Sequence, residues 1–133
     1  MPYKSPAYLD GGADMLRTAA GTANRIRVHL LSAFASSDSW ATITANSLAN
    51  AALVAGDIVS SGAAGSSRVV TFAGKAATAT AADADLTGCV VAVLDHTSQV
   101  AHYVTNGSAS PSAVTVGQTA TIASFTDTQS QPT

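Results

Sequence analysis

The six residues Cys89-Val90-Val91-Ala92-Val93-Leu94 carry no charged or hydrogen-bonding polar side chain apart from one thiol. A run this short and this rich in Val suits a strand near the centre of a sheet and is too short for a typical helix. The strand is read over Thr87 to Leu94. Asp95-His96-Thr97-Ser98 then supplies the turn, and Gln99 to Thr105 returns as the second strand of a β-hairpin. Asn106-Gly107-Ser108 ends it. Any fold for this chain has to be built around that hairpin.

The rest of the chain reads as further short strands. Arg25 to Leu31 alternates, with Ile26, Val28 and Leu30 on one face and Arg25, Arg27 and His29 on the other, as a half-buried strand does. Ala51 to Ser60 is a strand interrupted at Gly56-Asp57, and Ser60 to Ser67 is a Gly/Ser/Ala loop. Arg68 to Ala73 sets Val69 and Thr71 against Val70 and Phe72. Lys75 to Ala82 repeats Ala and Thr, which suits an edge. Val114, Val116 and Ala120 to Phe125 close the series. One helix is predicted, over Leu9 to Ala20. Leu9, Ala13 and Leu16 share a face with Met15 at its rim, Asp10 and Asp14 come early, Arg17 late, and Gly21 stops it. Between them, Ser36-Ser37-Asp38-Ser39 is a loop that can cap a short turn through Trp40, Ile43 and Leu48.

Composition agrees with sheet. The chain has no Glu and only two lysines, Lys4 and Lys75, so the usual residues of helix surfaces are missing. Charged residues make up 11% of its 133 positions against a usual share of about 25%. With 47% hydrophobic residues this is not the composition of a disordered chain. The expectation is a mainly β single domain, an antiparallel β-sandwich or barrel with a short N-terminal arm and helix. The divisions are an arm and helix over 1–20, the β domain over 21–126 and a polar tail over 127–133.

The same composition excludes several functions. A net charge of −2 with Lys4, Arg17, Arg25, Arg27, Arg68 and Lys75 scattered along the chain offers no basic stripe for nucleic acid. Aromatic residues at 5% offer no stacking platform. No apolar run reaches 18 residues, so no membrane-spanning helix is expected, and Met1-Pro2-Tyr3-Lys4-Ser5 is not a signal peptide. The single cysteine, Cys89, reads as a small buried hydrophobe. The three histidines, His29, His96 and His102, form no His-x-x-x-His pair, and no metal site or cofactor is expected. Asp83 and Asp85 read as solvated, and Asp95-His96 as a polar turn without a relay. No nucleophile elbow or phosphate loop occurs, so no catalytic residue is expected. A surface so poor in charge is easier to keep soluble when neighbouring chains cover it.

The order of segments resembles a family of small virion structural proteins encoded among the head genes of tailed bacteriophages. The stretches that carry the resemblance are Leu9-Asp10-Gly11-Gly12, Thr22 to Leu30, Gly65 to Thr71, Thr87 to Asp95 and Val114 to Phe125, together spanning most of Tyr8 to Phe125. Residues 32–50 depart from the family pattern, and Cys89 stands where family members carry His. The resemblance implies a capsid decoration or cement protein on the capsid exterior, assembled in the host cytoplasm. Its partners would be the major capsid protein and further copies of itself, with a trimer favoured. Other virion positions, such as a head-fibre base, head–tail connector or tail component, are the alternative, with a small-ligand binder or enzyme behind them. On this reading the arm and helix dock or clasp, and the candidate contact residues are Tyr3, Tyr8, Leu9, Met15, Leu16, Arg17 and Trp40.

Overall fold

A computed structural model describes residues 3–61 and 68–129. In chain order the elements are β1 (Tyr3–Lys4), α1 (Pro6–Ala20), β2 (Ile26–Leu31), α2 (Trp40–Ala45), β3 (Ser47–Ala52), β4 (Ile58–Ser61), β5 (Arg68–Phe72), β6 (Lys75–Thr78), β7 (Val90–Asp95), β8 (Val100–Asn106), β9 (Ala109–Ser110), β10 (Thr119–Ile122) and β11 (Phe125–Gln129). The chain is mainly β, and every strand pair is antiparallel. Strands form three sheets, ordered β1-β8-β7-β2-β3, β6-β10-β9 and β11-β5-β4. The β7–β8 hairpin and β2 are central in the first, as the apolar run requires.

The three sheets are joined edge to edge. An Ala49–Ala79 bridge and a 2.8 Å bond from Thr80 N–H to Leu48 O carry the first sheet into the second. The second and third are then two lengths of the same strand pair. Phe72 faces Phe125 and Lys75 faces Ile122, so β5 and β6 run past β11 and β10 in one register through a corner. Gly74 sits at that corner because the backbone opposite is close: a Cβ there would lie 3.0 Å from both Ile122 O and Ser124 N. The result is an incompletely closed barrel, with its seam between β11 and the β1–β8 edge.

The main core fills the concave side. Tyr8, Leu16, Ile26, Val28, Phe72, Val91, Val93, Tyr103 and Ile122 are all within 2% of fully buried. Phe72 stacks on Phe125 at 4.9 Å and on Tyr103 at 5.8 Å, and Tyr8 tilts against Tyr103 at 5.9 Å. Because α1 supplies Tyr8, Ala13, Leu16, Ala19 and Ala20 to this cluster, it is part of the domain rather than a detachable arm. Helix α1 also begins earlier than its apolar period predicts. Ser5 caps it, its Oγ accepting the Tyr8 N–H at 3.1 Å, and Pro6 opens the first turn, where a missing N–H costs nothing. Gly12 breaks the helix at φ +60°, ψ −155°.

Two further expectations change. His29 does not face solvent: it is 3% exposed, because α2 and the segment before it cover the outer face of the first sheet. That cover builds a second apolar cluster of Leu31, Ile43, Ala92, Leu94, Ala101 and Val104, flanked by Tyr3, Phe34 and Trp40. The unbroken apolar run of β7 needs shelter on both faces, and α2 provides the second. The polar tail predicted from 127 starts too soon, since β11 extends to Gln129 and buries Asp127. The predicted 60–67 loop lies outside the described residues beyond Ser61, as do 1–2 of the arm and 130–133 of the tail.

Candidate functional site

The surface residues expected to make contacts divide into two groups. Tyr8 and Leu16 are 0% exposed and belong to the core, so they are withdrawn from the contact set. Helical spacing put them on one side of α1, and that side faces inward. Arg17 is half-buried and spent within the chain. It pairs with Asp14, donates to Ser60 Oγ at 2.9 Å and reaches Ile58 O at 3.3 Å, fastening α1 to β4. Tyr3, Met15 and Trp40 are partly exposed, while Leu9 is 66% exposed. Val54, Val59 and Val116, not singled out in the sequence, are also large apolar residues more than half exposed.

Leu9 stands on the lip of an open groove of about 800 Å³ along the barrel seam, lined also by Tyr3, Lys4, Tyr103, Thr105 and Thr126–Thr128. Backbone pairing stops here and side chains take over. Lys4 Nζ lies 2.8 Å from Asp127 Oδ1, Tyr8 donates its hydroxyl to Asp127 Oδ2 at 2.8 Å, and Tyr103 donates to Thr126 O at 3.2 Å. Asp127 is 3% exposed, and its ion pair and hydrogen bond are what make that burial tolerable. The seam groove is therefore bounded by two strand edges and held at one width by charge-assisted bonds.

Two buried polar networks flank the central hairpin. On the α1 side, Asp95 receives Arg25 Nε and Nη2 at 3.0–3.2 Å and the turn N–H groups of Thr97 and Ser98 at 2.9 and 3.0 Å. Burial pushes its carboxyl up, but Arg25 and the two N–H groups outweigh that and hold it at about 2. The bulge between Val93 and Leu94 turns His102 toward it. His102 Nδ1 lies 2.8 Å from Ser5 Oγ, and Nε2 lies 3.6 Å from Asp95 Oδ2, beyond hydrogen-bond length. Ser5 Oγ thus bonds both the Tyr8 N–H and the His102 ring, joining the cap of α1 to β8.

Ser5, His102 and Asp95 are the residue types of a nucleophile–base–acid relay, yet each is at most 2% exposed. Ser5 Oγ is closed off from solvent, and one of its lone pairs caps α1. What the array does is tie the start of α1 to β8 and the hairpin turn. Cys89 is buried, 3.9 Å from Asp83 Oδ2, and burial followed by that carboxylate pushes its thiol up, away from reactivity. Among the described residues no group of three or more His, Cys or Asp side chains is placed to hold a metal, and no helix is long and apolar enough to cross a membrane.

On the α2 side, His29 and His96 meet directly, Nε2 to Nε2 at 2.8 Å. The sequence placed these residues on a strand face and in a turn with no reason to associate them. Strand pairing sets His29 opposite Ala92 and His96 beside Arg25, whose carbonyl accepts the His96 backbone N–H at 2.8 Å, so the two rings reach toward each other along the sheet.

No family model, curated protein sequence or solved structure matches the chain.

Proposed function

We propose that this chain is a virion structural protein of a tailed bacteriophage, acting as a capsid decoration protein through contacts with the major capsid protein and with further copies of itself. The observation that carries the reading is how the polar and apolar groups are divided. The buried Ser5, Asp95, His102 and Asp127 are engaged in fastening elements together, while Leu9, Val54, Val59 and Val116 lie 53–69% exposed on a surface poor in charge. Interfaces are centred on exposed apolar groups, and these four are the large ones that the described surface offers. The order of segments supports the phage assignment. A trimer suits closed symmetry on a shell's threefold points. Another virion position is separated from this reading by copy number.

Substitution at the surface tests it without touching the core. Leu9→Asp and Val116→Asp should leave thermal unfolding unchanged. At least one of them should lower occupancy on assembled particles about tenfold or more, the effect of losing roughly 1.4 kcal/mol of contact. Wild-type occupancy for both would mean that these exposed apolar residues are not the contact. Deleting the N-terminal segment is not an equivalent test, because it takes Tyr8 and Leu16 out of the core.

A further inference from the structure

We propose that the His29–His96 pair is an acid-sensitive latch that holds α2 over the outer face of the first sheet. The two ring planes are inclined by 17° and the centroids are 5.0 Å apart, about two ring radii plus the 2.8 Å Nε2–Nε2 contact. The rings therefore meet edge to edge, with the two nitrogens pointing at each other. Such a contact is a hydrogen bond only while one Nε2 is bare and the other carries the proton. His29 Nδ1 is fixed by Ser47 Oγ at 2.8 Å, which anchors the pair to β3. Trp40, the first residue of α2, packs edge-on against His96 at 5.2 Å and 85°. Sheet, histidine pair and α2 are thus linked in series.

The surroundings favour the neutral pair. From β2, Arg27 faces both rings; its guanidinium is bonded to Asn50 and Asn24 but neutralised by neither. From β7, Asp95 draws His96 the other way, though Arg25 pairs with that carboxylate. Neither β3 nor α2 contains a charged residue. Burial, then His96 and Arg27, hold His29 down at about 3, and burial and Arg27 lower His96. The pair tolerates one added proton, since an imidazolium still donates to an imidazole. A second leaves two N–H groups facing each other and breaks the contact.

The linkage follows from the sign of the shift. Histidines whose folded pKa lies below 6.5 hold fewer protons closed than open, so closure is fully favoured above pH 6.5 and weakens as pH falls toward 3. A closed pair that already carries one proton takes up one more on opening, so the equilibrium constant rises about tenfold per pH unit in that range. Release of α2 uncovers Leu31, Ala92, Leu94 and Val104 and turns the outer face into an apolar, adhesive surface.

Trp40 is the only tryptophan, so its fluorescence reports the latch directly. In the full chain, its emission should change between pH 6.5 and 3, ahead of the loss of far-ultraviolet circular dichroism. His96→Leu and His29→Leu each remove the pair, so either should abolish that early change. Because either variant can misfold, nitrogen-15 chemical shifts of wild type provide an independent reading. At neutral pH one Nε2 of the pair should be bare and the other protonated. An emission change centred at pH 6.5 in wild type, no change before acid unfolding, or two protonated Nε2 atoms at neutral pH would each overturn the latch.

Discussion

Asp95→Ala should lower the free energy of unfolding by about 3 kcal/mol, measured as a drop in urea midpoint with little change in slope. The loss has several parts. Arg25 keeps its charge at the rim without its carboxylate, Thr97 and Ser98 lose the acceptor of their turn N–H groups, and His102 Nε2 is left facing a void. Asp95→Asn separates these parts. It can still accept from the turn but presents an amide N–H₂ toward Arg25, so it should retain the turn and recover only part of the loss. The wild-type pH profile gives the same residue a second signature. The folded pKa of Asp95 lies below its ordinary 3.8, so its contribution is present above that value and disappears as pH falls through about 2. The histidine contribution fades earlier, from pH 6.5 downward. Acid destabilisation should accordingly come in two stages, and Asp95→Ala should remove the second while enlarging the first, because Asp95 raises both His96 and His102.

Phe72→Ala should cost about 3–5 kcal/mol, the upper range for truncating a buried aromatic. Phe72 is 0% exposed and packs in a mutual three-ring cluster with Tyr103 and Phe125, beside the corner where β5 passes into β6. Truncation leaves a cavity lined by rings held by the strand register, so the site has little freedom to collapse. Phe72→Leu, which refills much of the volume, should cost less than half as much, about 1–2 kcal/mol. Equal losses for the two variants would mean that the stack is not what the site contributes, and that a local backbone change at the corner dominates.

Much of this architecture is legible in the residues. The alternation of Arg25 to Leu31 marks β2, and the run Cys89 to Leu94 marks the sheet's centre. Ser39 before Trp40 marks the cap of α2, whose Oγ accepts the Thr42 N–H. The start of α1 is also present, as Ser5-Pro6, but the apolar period that begins at Leu9 does not extend to it. What local pattern does not contain is register. His29 and His96 are 67 positions apart, and Ser5 and His102 are 97 apart. Only strand pairing and one bulge bring each pair within hydrogen-bond distance. The burial of Asp127 has the same origin. Its polar neighbours read as a tail, and only closure of the seam by Lys4 and Tyr8 draws it inward. Tyr8 and Leu16 were misassigned to a surface for a related reason: an amphipathic helix shows which face is apolar, but not whether that face meets its own sheet or another chain.

If this polypeptide contributes adhesion between chains, it should be found where chains assemble. The direct measurement of the proposed role is quantitative mass spectrometry of particles purified from a lysate that contains the chain, with the most abundant shell protein as internal standard. Copies in fixed proportion to the shell protein, retained through density-gradient purification, are the predicted result. A chain recovered only as a free monomer in the lysate, with none in the particles, would contradict it.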